Sequence, residues 1–578
     1  MAIARTGGQI LVDSLQIQGV DMAFGVPGES YLAVLDALHD SPIRFIVNRQ
    51  EGGAAFMAEA YGKLTGRPGI CLVTRGPGAT NASIGLHTAQ QDSTPLILFI
   101  GQVGNDFVER EAFQEIDYRR MFGQVCKWVA QIDRAKRIPE YVARAFQLAT
   151  SGRPGPVVLA LPEDMLTAIA TVDDTARYQS VQAAPTLEQI AQLRERLSAA
   201  ERPMVLLGGS GWNHASCEAI ERFAECNHLP VACVFRRQDL FDNAHPHYIG
   251  DVGIGINPAL AKRITESDVI LAIGPRLGEM TTGGYQLLQA PRPHQQLIHI
   301  HADAHELGRV YQADLKINSG MPQIAAALLA MAPLDTPTQQ RRDQLNQARD
   351  AYLKWQAEPA IFADPLLRLN LWRVMQTLRE ALPIDTILTN GAGNFASWGH
   401  RFWRYGNRDA RLQTQLAPTS GAMGYGVPAG IAAALVGAQH TLRQQVVTLT
   451  GDGDFMMNGQ ELATAVQYAV PVLFIVFNNR MFGTIRMHQE RHYPARISGT
   501  ELHNPDFAAL ARAYGAFGES VEETDQFADV LQRAMAYLRD EGKPALIELR
   551  YDGNLISPST TLARIRENAN ANAVSAEK

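Results

Sequence analysis

Two polar clusters, each directly after an apolar run, carry residue types that hold a metal-bound phosphate. Asp452, flanked by glycines, follows the run Val446–Leu449, and Asn479 follows a second run, Val472–Phe477. Carboxylate and amide oxygens are hard donors that suit Mg²⁺, which keeps water and phosphate oxygens as its other ligands. The flanking glycines let a backbone approach an anion that a Cβ would hold away. The pattern predicts a diphosphate bound through Mg²⁺; either motif alone is more often a turn after a buried strand.

A parallel strand pair is needed to bring these clusters together. A helix is predicted at about 459–468, and Pro471 ends it, so the segment is predicted to be strand, helix, strand. This connection length suits a parallel crossover. The carboxyl ends of parallel strands meet at one edge, where open α/β sheets bind ligands. We therefore expect both clusters at the same sheet edge.

Apolar runs alternate with helix-like stretches along the whole chain, which predicts an α/β fold of three domains, each a parallel sheet flanked by helices. The predicted bounds are 1–168, 187–334 and 365–556, and the polar tail 557–578 is expected to be flexible. The predicted strands of the three blocks are Met22–Phe24, Phe45–Val47, Ile70–Val73, Leu96–Ile100 and Val157–Leu161; Met204–Leu207, Val231–Val234, Val269–Ile273 and Leu297–Ile300; and Ile387–Leu388, Val446–Leu449, Val472–Phe477 and Ala545–Ile547.

Composition excludes several classes of protein. A chain of 578 residues with 46% apolar and 19% charged residues is long enough for several globular domains. A net charge of −7 without a basic block argues against nucleic-acid and anionic-membrane partners. The five cysteines form no close metal-type pair, which favours a reducing compartment. No apolar run approaches the ~20 residues of a membrane helix, so a cytoplasmic protein is predicted.

Near the amino end, Glu51 follows a predicted strand at a helix start, and a glycine-rich turn at 76–78 follows another. Taken alone, the Glu51 carboxylate is explained as an acid that stabilises the helix N-terminus by a few tenths of a kcal/mol. The glycines, taken alone, are explained as a turn. The segments 48–55 (NRQEGGAA), 74–81 (TRGPGATN) and 111–115 (EAFQE), together with the two clusters above, resemble acetolactate (acetohydroxyacid) synthases. These belong to the thiamine-diphosphate (ThDP)-dependent pyruvate decarboxylase and acetolactate synthase superfamily.

The resemblance implies that ThDP and Mg²⁺ are cofactors. In that family the acid at the Glu51 position binds a ring nitrogen of the aminopyrimidine and promotes loss of the thiazolium proton. Met423 matches the wedge that bends the cofactor, and the Met481 carbonyl matches a third metal ligand beside Asp452 and Asn479. The other cofactor-binding positions that the resemblance implies are Pro27, Gly78, Asn81, Gly391, Asn394, Phe395, Gly421, Gly451, Gly453, Asp454, Phe455, Phe482 and Gly483.

The substrate-contacting positions match less well. Gln114, Phe113 and Lys127 correspond to active-site positions of the synthases, although Phe113 is equally explained as core and Lys127 as a surface charge. His488 stands where synthases have a tryptophan that selects the acceptor, so a different acceptor selectivity is expected. A proton shuttle and plain solvent exposure are alternatives for this histidine. Met280 stands where synthases read the substrate carboxylate with an arginine.

The middle block resembles the synthase domain that holds FAD in a structural role. The matching segments are 250–258, 274–284 and 301–309, although the synthase histidine-glycine pair is Gly255-Ile256 here. FAD is therefore predicted, with a bare nucleotide or an empty domain as alternatives. Its implied contacts are Arg153, Gly253, Arg276 and Asp303.

The resemblance implies an enzyme that decarboxylates a 2-oxo acid, pyruvate, and joins the remaining two-carbon unit to a second carbonyl compound. The alternatives are a 2-oxo acid decarboxylase or promiscuous carboligase, a flavin-dependent pyruvate oxidase, and a non-catalytic cofactor-binding protein. Active sites between subunits of a homodimer or homotetramer are implied. The physiological donor and acceptor, the stereochemistry and a regulatory subunit stay open.

Overall fold

The computed structural model describes residues 3–334, 338–364, 366–406, 413–439 and 444–576, with side chains as far as 572. The chain forms two compact units, Met1–Ala183 and Ala184–Lys578, and each is described by itself. The first unit contains one six-stranded sheet and the second contains two. All three sheets are parallel and flanked by helices, which confirms the predicted α/β class with three domains.

The first domain orders its strands β3-β2-β4-β5-β7-β6, and β1 pairs with β8 in a separate antiparallel ribbon. Both faces of the sheet are covered, so its central strands are buried throughout. The strands are β1 Ala4–Thr6, β2 Met22–Gly25, β3 Arg44–Val47, β4 Gly69–Val73, β5 Leu96–Gln102, β6 Trp128–Gln131, β7 Pro156–Pro162 and β8 Ile169–Thr171. The helices are α1 Gly7–Ile17, α2 Leu32–His39, α3 Glu51–Thr65, α4 Gly76–Asp92, α5 Tyr118–Phe122, α6 Ile138–Thr150 and α7 Glu163–Thr167.

The middle domain orders its strands β11-β10-β9-β12-β13-β14. Counted from its first strand this is 3-2-1-4-5-6, the order of dinucleotide-binding sheets, whose ligand crevice lies where the order reverses. The strands are β9 Met204–Leu207, β10 Val231–Val234, β11 Tyr248–Val252, β12 Val269–Ile273, β13 Gln296–His301 and β14 Leu315–Asn318. The helices are α8 Leu187–Ala199, α9 His214–Cys226, α10 Pro258–Glu266, α11 Glu279–Thr282, α12 Met321–Ala330 and α13 Gln339–Trp355.

The third domain orders its strands β16-β15-β17-β18-β20-β19. Counted from its own first strand this is 2-1-3-4-6-5, and the first domain, counted from β2, has the same order. The strands are β15 Ile387–Asn390, β16 Gln415–Leu416, β17 Val446–Gly451, β18 Val472–Asn478, β19 Phe517–Val521, β20 Ala545–Arg550, β21 Leu555–Ser557 and β22 Thr560–Thr561. The helices are α14 Leu371–Ala381, α15 Ala396–Phe402, α16 Gly426–Gln439, α17 Asp452–Asn458, α18 Leu462–Gln467, α19 Gly483–His492, α20 Phe507–Tyr514, α21 Phe527–Glu541 and α22 Leu562–Ala576.

The strands that the sequence did not predict in the three large sheets all lie at sheet edges. These strands are β6, β11, β14, β16 and β19. Central strands of a parallel sheet are buried on both faces and therefore form continuous apolar runs. An edge strand keeps polar residues, as in β14, whose burial alternates along Leu315–Asn318.

The predicted helix at 459–468 begins earlier in the structure. A helix, α17, starts at Asp452 itself, directly after β17, and a short 3₁₀ turn at Gly459–Glu461 leads into α18. Asp452 and Asp454 occupy the first turn of α17, where the helix dipole favours negative charge. Of the two glycines that flank Asp452, Gly451 ends β17 and caps the helix, and Gly453 lies within its first turn.

The tail was predicted to be flexible, and this prediction was wrong for most of its described residues. After the β21–β22 ribbon, α22 buries Leu562 and Ile565 in a small cluster with Ile556. The Arg566 guanidinium donates two hydrogen bonds to the Glu490 carboxylate on α19, at 2.7 and 2.5 Å. The polar composition of the tail gave no sign of this helix, because the helix is stabilised by one ion pair and a few apolar contacts.

None of the described helices is long and apolar enough to cross a membrane.

Replacing Arg566 with alanine should detach α22 from α19. Hydrogen bonds from Arg566, then from Ala495 and Arg486, outweigh burial and lower the pKa of Glu490 to about 2. Because this folded-state pKa is depressed, the stabilisation is present above the ordinary glutamate pKa of about 4.3 and is lost as the pH falls towards 2. The protection factors of the backbone amides of 562–572, which are corrected for the intrinsic pH dependence of exchange, should fall in Arg566→Ala at pH 7 and in the parent protein near pH 2. Arg564→Ala, an exposed change on the same helix, should have no effect; an equal fall in both variants would contradict the ion pair's role.

Candidate active site

The predicted metal ligands lie together at the carboxyl ends of β17 and β18. Asp452 Oδ2 accepts a hydrogen bond from Asn504 Nδ2 at 2.7 Å, and the same nitrogen donates to Asn478 Oδ1 at 3.0 Å. Asn479 Oδ1 accepts from the backbone N–H of Met481 at 3.3 Å. The first two bonds join the Asp452 carboxylate to the amides of Asn504 and Asn478, and Asn479 follows Asn478 directly. The assignment of Asp452, Asn479 and Met481 as metal ligands stays a prediction.

A second segment fixes the backbone of the loop that follows β18. Phe482 N donates to Thr500 O and Leu502 N donates to Arg480 O, both at 2.9 Å. Between these bonds Met481 pairs with Glu501 in an antiparallel bridge. The loop with two of the three predicted ligands is therefore held on both sides before any ligand binds.

The donor set fits Mg²⁺. Asp452 is 3% exposed, and burial raises the pKa of its carboxyl, although hydrogen bonds from Gly453 and Asn504 oppose the rise. A nearby cation would offset this cost of burying negative charge. No group of three or more His, Cys, Asp or Glu side chains with metal-binding geometry occurs among the described residues. One carboxylate with amide and carbonyl oxygens suits a cation that takes its remaining ligands from phosphate and water.

Asp454, whose contact with the cofactor stays a prediction, joins three segments of the third domain. Its Oδ1 accepts from the backbone N–H groups of Gly424, at 2.8 Å, and Ala392, at 3.1 Å. Its Oδ2 accepts from Thr450 Oγ1 at 2.7 Å. A Cβ on Gly391 would lie 2.1 Å from Oδ1, so this approach requires glycine. The carboxylate fixes the loops that carry the predicted cofactor contacts.

Two aromatic residues predicted as cofactor contacts have core side chains. Phe395 is 6% exposed and packs on Phe477 with ring centroids 6.0 Å apart. A Cβ on Gly451 would lie 2.7 Å from the Phe395 ring. Phe455 is fully buried and meets Phe507 edge-on at 5.5 Å. Because both rings pack in the protein interior, only the backbone atoms of Phe395 and Phe455 could make the predicted contacts with the cofactor.

Asn394 and the loop at 421–424 contact the same region of the third domain. Asn394 Oδ1 accepts from Thr484 Oγ1 on α19 at 2.9 Å. Met423 is half-buried between Gly421 and Gly424, both of which have left-handed backbone conformations, with φ of 69° and 81°. His488, also on α19, is exposed, and its pKa is lowered by partial burial and by the neighbouring Arg491 and His492. This histidine is therefore mostly neutral at pH 7.

In the first domain the structure brings Glu51, Gly78 and Asn81 together. Glu51 is in the first turn of α3, and its Oε2 accepts from Asn81 Nδ2 at 2.9 Å. A Cβ on Gly78 would lie 3.5 Å from Glu51 Oε1. The next turn of α3, Ala54–Met57, is fully buried. One carboxylate oxygen is thus oriented by an amide, and the other lies beside a glycine turn with apolar side chains behind it.

Gln114 and Phe113 lie in a loop that packs on this glycine turn. The Gln114 carbonyl accepts from Gly76 N at 2.9 Å, and Gln114 has a left-handed backbone with φ of 66°. Phe113 is 71% exposed within its unit, which rules out the core explanation there. The backbone of Gln114 is therefore fixed at the turn that also approaches Glu51.

Lys127 and Arg153 both make contacts that hold the end of α6. Lys127 Nζ donates to the carbonyls of Ser151 and Arg153, at 2.8 and 2.7 Å. Arg153 donates to Ser93 Oγ at 2.8 Å and to the Gln90 carbonyl at 2.6 Å. These bonds give both side chains a structural role. The contact of Lys127 with substrate and that of Arg153 with the flavin stay predictions.

The carboxyl edge of the middle sheet has the glycine-lined form of a nucleotide crevice. Gly208 follows β9 and Gly274 follows β12, the two strands at which the strand order reverses. A Cβ on Gly274 would lie 2.3 Å from the Gly208 carbonyl, so the two backbones are in direct contact. Nearby in sequence, Arg276 Nε lies 3.5 Å from the buried Glu306 carboxylate. Asp303 Oδ1 accepts from His305 N at 2.9 Å.

Sequence reasoning missed three residues that shape these sites. Asn504 joins two metal-loop side chains but precedes a proline, where the sequence gives only a turn signal. Arg236 of the middle domain donates to the carbonyls of Gly391, at 3.2 Å, and Pro418. Arg75, which directly precedes the glycine turn, forms ion pairs with Glu29, at 3.3 Å, and with Glu163. The pair with Glu29 links the loop after β2 to the glycine turn. Only contacts between distant segments show these roles.

Comparisons with known proteins agree with this geometry. Three family models match: the N-terminal TPP binding domain of thiamine pyrophosphate enzymes at 5–121, their central domain at 190–328 and their C-terminal TPP binding domain at 391–549. The chain is 31% identical to the probable acetolactate synthase large subunit of Methanocaldococcus jannaschii, covering 94% of this chain and 92% of that protein. It is 30% identical to the acetolactate synthase isozyme 2 large subunit of Escherichia coli K12, covering 94% and 95%.

Three parallel α/β domains that match the three domain models in chain order define a thiamine pyrophosphate enzyme. The chain belongs to this family as an acetolactate synthase-like member, a carbon–carbon bond-forming enzyme.

Substituting Asp454 should weaken ThDP binding without removing any predicted ligand contact of the metal. In Asp454→Asn the amide oxygen can still accept from Gly424 and Ala392, but it carries no charge, and the Thr450 hydroxyl loses the acceptor it donates to, so the loops are held less tightly. Loss of a charge-assisted bond of ~1.5–3 kcal/mol corresponds to binding about 10- to 100-fold weaker by calorimetry. Thr450→Val removes one of the three donors and should give a smaller loss. Equal affinity in Asp454→Asn and the parent protein would show that the loops do not depend on this carboxylate.

Proposed function

We propose that the protein uses ThDP and Mg²⁺ to decarboxylate a 2-oxo acid, pyruvate, and to join the two-carbon unit to a second carbonyl compound. The observation that carries the proposal is the hydrogen bond by which Asn81 orients the Glu51 carboxylate in the first domain. The polar group around Asp452 in the third domain supports it independently. Relatives over nearly the full chain are acetolactate synthase large subunits, which supports the same reaction.

In this proposal one group of residues binds the cofactor and another transfers a proton. Asp452, Asn479 and the Met481 carbonyl would hold Mg²⁺ and, through it, the diphosphate. Glu51 would share a proton with the pyrimidine ring, with Asn81 keeping the carboxylate in place. When bound, ThDP supplies an electron sink for loss of carbon dioxide.

Acceptor selectivity is proposed to differ from that of the usual synthases. His488 is exposed on α19, which leads directly from the metal loop. Its ring is smaller and more polar than the tryptophan of the synthases. Met280 supplies no charge for a second carboxylate, and one such charge-assisted bond is worth ~1.5–3 kcal/mol. Carbonyl acceptors without a carboxylate are therefore expected to compete well with 2-oxo acids.

We also propose that the middle domain binds FAD and that the protein forms a homo-oligomer. The middle sheet has the dinucleotide-binding strand order, and its reversal point is lined by glycines. These features support FAD in a structural role there, contacted by Gly253, Arg276 and Asp303. ThDP is proposed to lie between subunits of at least a dimer. Pairing with a regulatory subunit is compatible with relatives that are called large subunits.

Product analysis tests the reaction. Protein supplied with ThDP, Mg²⁺ and FAD is given pyruvate alone, pyruvate with a 2-oxo acid, and pyruvate with a panel of aldehydes, and products are identified by NMR. We expect carbon dioxide together with an acetohydroxy acid or a 2-hydroxyketone. Acetaldehyde without a ligated product would instead identify a decarboxylase, and oxygen uptake during turnover would identify an oxidase. Absence of carbon dioxide from pyruvate under every condition would reject the proposal.

Glu51→Gln should separate catalysis from binding. The amide cannot share a proton with the pyrimidine nitrogen, so turnover should fall by about 10²–10⁴-fold, the usual contribution of a positioned acid or base. ThDP affinity should change little, because the diphosphate cluster is untouched. Glu140→Gln, on the exposed face of α6, is the matched control and should keep full activity. Unchanged turnover in Glu51→Gln would refute the role assigned to Glu51.

A further inference from the structure

A separate cavity lies in the middle domain between α10 and α13. Its volume is about 240 Å³, below the ~300–1,000 Å³ of pockets for drug-sized ligands. The charged side chains that line it are Arg202, Lys262, Arg263 and Glu266, and two glutamines and two alanines of α13 form the opposite wall. A cavity of this size suits a small ligand.

The cavity lies at the other edge of the sheet from the nucleotide crevice. Arg202 precedes β9 and Ser267 precedes β12, so both are at the amino ends of the central strands. Gly208 and Gly274 follow the same two strands at their carboxyl ends. The cavity is therefore distinct from the crevice assigned to FAD.

The lining carries more positive than negative charge. Glu266 is shared between Arg202, at 3.6 Å, and Lys262, at 3.7 Å. Arg263 donates only to the Gln344 carbonyl at 3.3 Å, and among the described residues its buried Nε has no hydrogen-bond partner. Three cations thus face one carboxylate, and the most buried cation lacks a carboxylate within ion-pair distance in the described part of the chain.

This arrangement is costly for the protein alone. Burial, with a contribution from Arg202, lowers the pKa of Arg263 to about 10. Arg341, one turn before Gln344 on α13, is 7% exposed, and its Nε and Nη2 have no partners among the described residues. A buried cation without a counter-ion is destabilising unless an anion compensates it.

We propose that this cavity binds a small phosphate-bearing anion, with Arg263 as the central ligand and Arg202 and Lys262 at the entrance. The planar guanidinium matches two phosphate oxygens, and its unused Nε–H is available to one of them. The amides of Asn257 and Gln347 in the lining are further donors. The proposal does not depend on the reaction assigned above.

Calorimetry on the full chain tests the site, with ThDP and Mg²⁺ in excess so that the diphosphate site is filled. Inorganic phosphate and glycerol 2-phosphate are titrated separately, and hydrogen exchange is followed in 258–266 and 339–355. We expect saturable binding, slower exchange in both segments and at least about tenfold weaker binding in Arg263→Gln, since one charge-assisted bond is lost. Tighter binding of the ester would identify a phosphorylated metabolite as the ligand, and equal binding would identify free phosphate.

Arg222→Gln on α9 makes the same charge change at an exposed position and should leave binding unchanged. If Arg263→Gln does not fold, Lys262→Gln replaces it, because that side chain is 73% exposed and should also weaken binding. The proposal is overturned if neither anion binds, if the lining variants bind as the parent protein does, or if exchange slows only in 450–485.

Discussion

The candidate active site depends on a single buried carboxylate, that of Asp454. Its oxygens accept hydrogen bonds from Gly424, Ala392 and Thr450, so it joins the turn after β15, the turn before α16 and the end of β17. Burial raises the pKa of this carboxyl to about 6, and the three donors oppose that rise. A carboxylate can accept from three donors on separate segments at once, and each of these bonds is charge-assisted. The turns that would face a diphosphate are therefore assembled before any ligand binds.

The candidate active site also requires that side chains approach the backbone closely, and this requirement explains why glycine occupies several positions. Gly391 admits the Asp454 oxygens, and Gly451 admits the ring of Phe395, where a Cβ would collide in each case. Phe395 and Phe455 then fill the space beneath the turns with core side chains. The glycines therefore serve packing inside the protein as well as the approach of an external anion. A motif interpreted only as a phosphate-binding turn misses this internal function.

The sequence predicted central strands and local motifs well because each is a property of neighbouring residues. Continuous apolar runs identified strands such as β9 and β12 with their observed bounds, and the acid at Glu51 falls at a helix start as expected. Edge strands such as β16 were missed because their pairing is satisfied on one side only and their residues are partly polar. Asn504 and Arg236 were missed because their roles arise from contacts with segments far away in the chain. Helix α22 was missed because its stabilisation comes from α19, not from its own composition.

The middle domain is also tied to the third through buried polar contacts. Asp239 Oδ2 accepts from the backbone N–H groups of Thr414 and Gln415, both at 3.1 Å, so the edge strand β16 rests on a middle-domain carboxylate. Arg236, three residues earlier, donates to the Gly391 carbonyl in the same turn whose Ala392 N–H is held by Asp454. The turn after β15 is therefore oriented from two domains. Since buried hydrogen bonds of this kind are costly to break singly, the middle domain contributes to the shape of the proposed diphosphate site whether or not a nucleotide occupies its own crevice.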